Sequence, residues 1–168
     1  MSFGNKDISG LLFFVGPVIY FMGDIIKTRF AIPISHNLGM SLLGVFMIVG
    51  AYFLYRAVNS KIFSISLVLA GVGSLGVGVY GYLDFLSTIY YVFAGLAYLF
   101  FILSAIMAYK YEKSPFSYVS VILGLASLIA LILWVGQVDL RVTPIFVDFP
   151  ILLWLTGFGA HLIAKENG

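Results

Sequence analysis

The chain has 168 residues, of which 62% are hydrophobic and 10% charged, against roughly 25% charged in an ordinary soluble domain. A water-soluble fold this apolar has too little polar surface to present to solvent, so composition points to a protein surrounded by lipid. The net charge is +2, the nine Lys and Arg are scattered singly and there is no cysteine; nucleic-acid stripes, polybasic lipid patches, disulfides, thiolate metal sites and cysteine nucleophiles are thereby excluded.

A helix needs about 20 apolar residues to cross the hydrocarbon of a bilayer, and six segments meet this or nearly so. The first, 8–26, holds Pro17 and Asp24 and is closed by Lys27 and Arg29. No clear small-x-small cleavage site follows it, so it is expected to stay as a membrane anchor. The second, 38–55, is closed by Arg56, and the third, 62–83, by Asp84. The fourth, 87–109, is closed by Lys110, and the fifth, 118–137, by Asp139 and Arg141. The sixth, about 146–164, is closed by Lys165 and carries Pro150 near its start, where proline suits a first helical turn. Segments 28–37 and 138–145 read as the longer connections, and 57–60 and 111–115 as short turns between antiparallel neighbours. Barrel strands would alternate polar and apolar residues, whereas 121–135 is apolar almost throughout. The expected fold is an all-α transmembrane bundle of six helices in one domain, without a convincing internal repeat.

Positive residues favour cytoplasmic connections. With the N-terminus inside, Lys6, Arg56, Lys61, Lys110, Lys113 and Lys165 are cytoplasmic, and only Lys27, Arg29 and Arg141 are outside. Both termini are therefore expected to be cytoplasmic in a multi-pass protein of the cell membrane.

Helices in lipid are joined by close packing at small residues. The third span offers Ala70, Gly71, Ser74 and Gly78 on one face, and it reads as the central helix of the bundle. Gly157, Ala160 and Ala164 form a similar face on the sixth span, and Ala126 and Ala130 on the fifth.

Ionisable groups at membrane depth mark candidate sites. Asp24 stands three residues before Lys27, a spacing that predicts a local ion pair. Asp84 is expected at the outer mouth of the third span, and Asp139 and Arg141 in a solvated loop. Asp148 reads as a charge at the N-terminus of the last helix, where the dipole favours an anion. His161 is the most interior ionisable residue of the sixth span, and His36 begins the second helix. The two histidines fall at opposite faces of the membrane, so haem held by both is not expected. No other cofactor, metal site or catalytic group is expected either. The run from Gly71 to Gly76 spells G-x-G-x-x-G, but a dinucleotide site requires a preceding strand. G-x-S-x-G and H-E-x-x-H are absent from the sequence.

Asn37-Leu38-Gly39, the stretch from Val49 to Arg56, the glycine run from Gly71 to Tyr80 and the segment from Ala94 to Tyr98 carry a family resemblance. About half the chain resembles the small archaeal and bacterial membrane proteins grouped as domain of unknown function 998. The resemblance implies six spans and no established activity. Where relatives carry an acidic turn after the first span, this chain has Ser35-His36-Asn37-Leu38-Gly39. Where they often open the fourth span with histidine, it has Tyr90 and Tyr91.

These readings lead to a non-enzymatic membrane protein, in contact with lipids and with other membrane subunits. An accessory or assembly subunit of a larger complex, such as a respiratory one, is the expected role. The alternative is a small carrier or lipid-handling protein with a polar path beside the third helix, using Ser74, Asp84, Asp24 and His161.

Overall fold

The computed structural model describes residues 4–83, 88–112, 114–136 and 144–164. Six helices are long and apolar enough to cross a membrane, and no strand occurs among the described residues. They are α1 (Asn5–Phe30), α2 (Pro33–Val58), α3 (Lys61–Leu83), α4 (Thr88–Met107), α5 (Phe116–Val135) and α6 (Pro144–Ala164), with one 3-10 turn at Ala108–Lys110.

Local chemistry sets the helix ends. The Asp7 carboxylate accepts the Gly4 backbone N–H at 3.1 Å, satisfying one donor of the opening turn of α1. Ala31 takes a left-handed conformation at φ 54°, and Pro33 opens α2. Only residues 31 and 32 therefore separate the first two helices. The longer connection expected over 28–37 is instead helical on both sides of this turn, because polar residues outside the hydrocarbon still make good helix. Asn59, at φ 54°, ends α2 with its N–H bonded to the Tyr55 carbonyl at 2.9 Å. The sixth helix starts at Pro144, which places Pro150 inside it rather than in its first turn. Asp148 thus lies beyond the opening turn.

The helices form a closed ring in chain order. Each packs on the next, α6 returns to α1, and α4 also reaches α6. The third helix is therefore a member of the ring, packed chiefly on α2 and α4, and not its centre. It still buries 61% of its most apolar stretch, against 22% for α5. Its glycines explain how two neighbours suffice. A Cβ on Gly71 would sit 2.8 Å from the Gly44 carbonyl oxygen, and one on Gly78 would sit 2.6 Å from the Asn37 carbonyl oxygen. Gly73 meets the Ala97 backbone just as tightly on the α4 side. Ala70 and Ser74 are fully buried on the same helix.

On α6 the close approach is made elsewhere than expected. Gly159 and Gly10 face each other, and a Cβ on either would lie within 2.7 Å of the other's carbonyl oxygen. Ala160 and Ala164 face outward, and Gly157 has only the Phe116 ring nearby, at 3.9 Å. Ala126 is likewise exposed on α5, where Ser117, Ser120, Gly124 and Ser127 are the buried small residues. Stripes of small residues occur on two sides of these helices, and spacing alone does not say which side turns inward.

Serine hydroxyls cross between neighbours. Ser9 donates to the Gly50 carbonyl at 3.0 Å, Ser74 to Met40 at 3.3 Å and Ser127 to Val147 at 3.2 Å. Ser104 bonds Ser66 at 2.9 Å between α4 and α3. Such bonds contribute about 0.6 kcal/mol each within a bilayer. Phe13, Met47, Phe63, Leu67, Leu155 and Phe158 fill the interior.

Candidate functional site

A cavity of about 320 Å³ opens at the end of the bundle where α1, α3 and α5 finish and α2, α4 and α6 begin. Helical spacing explains how its walls arise. Tyr20, Asp24 and Lys27 follow one face of α1, while Tyr91, Ala94 and Tyr98 follow one face of α4. Ala94 and Ala97 are buried there with nothing beyond Cβ, which leaves the space open. Phe21, Tyr90, Trp134 and Phe149 complete an aromatic enclosure. The Tyr98 and Trp134 rings meet edge to face at 6.2 Å.

Asp148 forms the floor. The Tyr20 hydroxyl donates to its Oδ2 at 3.2 Å, and the Tyr98 hydroxyl bonds the same carboxylate. This joins α6 to α1 and α4 through one polar group. A smaller void of about 20 Å³ lies beyond, touching the same three residues and reaching Ser74, Leu43 and Phe101. Tyr20, Tyr98 and Asp148 therefore separate an outer chamber from an inner one.

Asp24 stands at the rim. Its Oδ1 lies 3.2 Å from His36 Nδ1, and this is the only ion pair within 4 Å among the described residues. The expected partner, Lys27, lines the same rim without pairing to it. The turn at residues 31 and 32 folds α2 back along α1, which brings a side chain twelve positions away closer than one three positions away. His36 also packs its ring on Tyr20, with centroids 5.5 Å apart.

The remaining candidates lie elsewhere. His161 is at the opposite end, its ring tilted against Phe116 at 5.3 Å and lining a separate cavity of about 180 Å³ with Lys6 and Tyr111. Asp84, Asp139 and Arg141 fall outside the described residues. Of the residues expected to line a path beside the third helix, Asp24 lines the outer chamber and Ser74 the inner void, His161 lies at the other end, and Asp84 is outside the described residues. The outer chamber is enclosed mainly by α1, α2, α4 and α6, and α3 contributes Val77 to it and Ser74 to the inner void. Near the other end Glu112 is 7% exposed. Its Oε2 accepts the Ser120 hydroxyl, and its Oε1 has no hydrogen-bond partner. Burial pushes this carboxyl up to about 7, against the opposing effect of the Ser120 bond.

Tyr20 and Tyr98 were not singled out from sequence, and Asp148 was read only as a helix-end charge. The signal for Asp148 was its place inside an apolar span, between Val147 and Phe149, where an ionisable group implies a function. The tyrosines gave no comparable signal, since the chain holds eleven. Among the described residues no three His, Asp or Glu are grouped to hold a metal ion. No family model, curated protein or solved structure matches the chain.

Proposed function

We propose that this multi-pass membrane protein binds a ligand bearing a positively charged nitrogen, acting as a small carrier or lipid-handling protein of the cell membrane. The observation that carries this reading is Asp148, a carboxylate held by two tyrosine hydroxyls at the floor of an aromatic cavity. A carboxylate at membrane depth is costly without a partner of opposite charge. Tyrosine and tryptophan faces attract cations lying within about 6 Å of the ring centroid. The lining carries two carboxylates, Asp24 and Asp148, against one ammonium, Lys27. Its volume falls at the small end of the roughly 300–1,000 Å³ typical of ligand sites.

The test is equilibrium binding of radiolabelled tetramethylammonium to the purified chain in nanodiscs. Asp148→Asn, which keeps the shape and removes the charge, is expected to weaken binding at least tenfold, about 1.4 kcal/mol or more. Equal binding by the wild type and D148N defeats the reading.

An accessory or assembly subunit is the second reading. One observation favours it: Ala160 and Ala164 face outward on α6, where a partner helix could approach closely. A membrane protein that co-purifies in mild detergent and is lost on Ala160→Leu would support it.

A further inference from the structure

A second depression adjoins the cavity, a groove of about 320 Å³ between α1 and α6 on the outer surface of the bundle. Pro17, Val18, Met22, Ile25 and Leu153 line it, and its single polar residue is Thr156. The Thr156 hydroxyl donates to the Leu152 carbonyl at 2.8 Å within its own helix, so it offers the groove no free donor. Phe21, Phe149 and Leu152 line both the groove and the cavity. Phe21 and Phe149 are 43% and 53% exposed and Leu152 is buried, so the boundary between the two is made of two partly uncovered rings backed by one core side chain.

We infer that cavity and groove together take one amphiphile, its cationic head against Asp148 and its hydrocarbon chain between α1 and α6. This inference rests on the cation-binding reading and adds the class of ligand and its side of access. The direction of the groove supports it. From Ile25 back to Pro17 α1 covers roughly 12 Å at 1.5 Å per residue, running from the level of the cavity towards the middle of the bundle. A chain lying there follows the depth that the tails of neighbouring lipids occupy, while its head stays at the polar end. The groove supplies little affinity of its own, because lipid tails are as apolar as the groove wall. What it provides is a passage: a head bound at Asp148 can keep its tail only if the tail has a way out. A tail-less amine needs no such passage.

The difference is read by displacing radiolabelled tetramethylammonium from the chain in nanodiscs with decyltrimethylammonium. Leu153→Trp and Met22→Trp each fill the groove from one wall, at positions 52% and 57% exposed that line only the groove. In either variant the tracer is expected to bind within twofold of wild type, and displacement by the ten-carbon cation to require at least tenfold more of it. Partition into the bilayer is common to wild type and variants and cancels. If both variants bind the tracer and are displaced as readily as wild type, the chain does not use the groove and the inference falls, while the cation site stands. Displacement by decyl sulfate as effective as by decyltrimethylammonium overturns the assignment of the head. Failure of the tracer to bind wild type, or its equal binding to D148N, removes the cation site and the inference with it. A variant that loses monodispersity on size exclusion is set aside and the other decides. If both are lost, Ile25→Trp, at a position 49% exposed that lines the groove and not the cavity, takes their place. Unchanged tracer binding with at least tenfold weaker displacement by the ten-carbon cation is then expected, and displacement as ready as in wild type overturns the inference.

Discussion

Glu112 is the residue whose environment departs most plainly from water outside the spans. Burial raises its carboxyl from 4.5 to about 7, and the Ser120 hydrogen bond acts in the opposite direction without cancelling it. An acid with a folded value above its unfolded one binds more protons when folded. Stability from this group therefore falls as pH rises from about 4.5 to about 7 and is level beyond. Glu112→Gln keeps an acceptor for Ser120 and removes the titration. In detergent, its melting temperature is expected to exceed that of wild type at pH 8 and to converge with it near pH 4.5. A difference that does not change across this window would show that Glu112 is solvated. None of this was legible in the sequence, where 111–115 read simply as a turn. Ser120 is eight residues away from Glu112, and only the bend between α4 and α5 turns the carboxyl back onto it.

At the scale of helices, glycine position decides how close two backbones come. A Cβ on Gly71 would lie 2.8 Å from the Gly44 oxygen, 2.9 Å from Ile48 Cγ1 and 3.0 Å from Met47 Cβ, while one on Gly95 meets nothing within 4 Å. Gly71→Ala must push α2 from α3 and is expected to cost about 1–3 kcal/mol, the range for overpacking. Gly95→Ala fills open space in an exposed helix and is expected to be neutral or to stabilise by up to about 1 kcal/mol. Unfolding of both variants in mixed micelles checks the contrast, and similar losses for the two would contradict the tight α2–α3 seam. The face of Ala70, Gly71, Ser74 and Gly78 was visible in the sequence. That Gly10 meets Gly159 was not, since α1 and α6 each carry another glycine that spacing does not distinguish from it.

For the whole molecule, six antiparallel helices put the start of α1 and the end of α6 at one end, where Lys6 and His161 line one cavity. The charge asymmetry proposes that this end is cytoplasmic. The chain has no cysteine, so single substitutions report accessibility directly. In intact cells Thr28→Cys is expected to react with an impermeant maleimide and Ser114→Cys only after lysis. The reverse pattern would invert the orientation and place the aromatic cavity on the cytoplasmic side, leaving its chemistry unchanged.

The sequence by itself determined that six segments are helical and apolar enough to cross a bilayer. That information is local: in hydrocarbon a chain must pair its own N–H and C=O groups, and a long apolar run can do so only as a helix. The tertiary structure alone decided which faces meet. These spans are apolar on every side, so periodicity does not separate lipid-facing from buried positions as it does on a soluble helix. Gly157 and Gly159 look equally suited to packing, yet only one touches α1. Tyr20 and Asp148 stand 128 residues apart, and their bond exists because α6 closes the ring on α1.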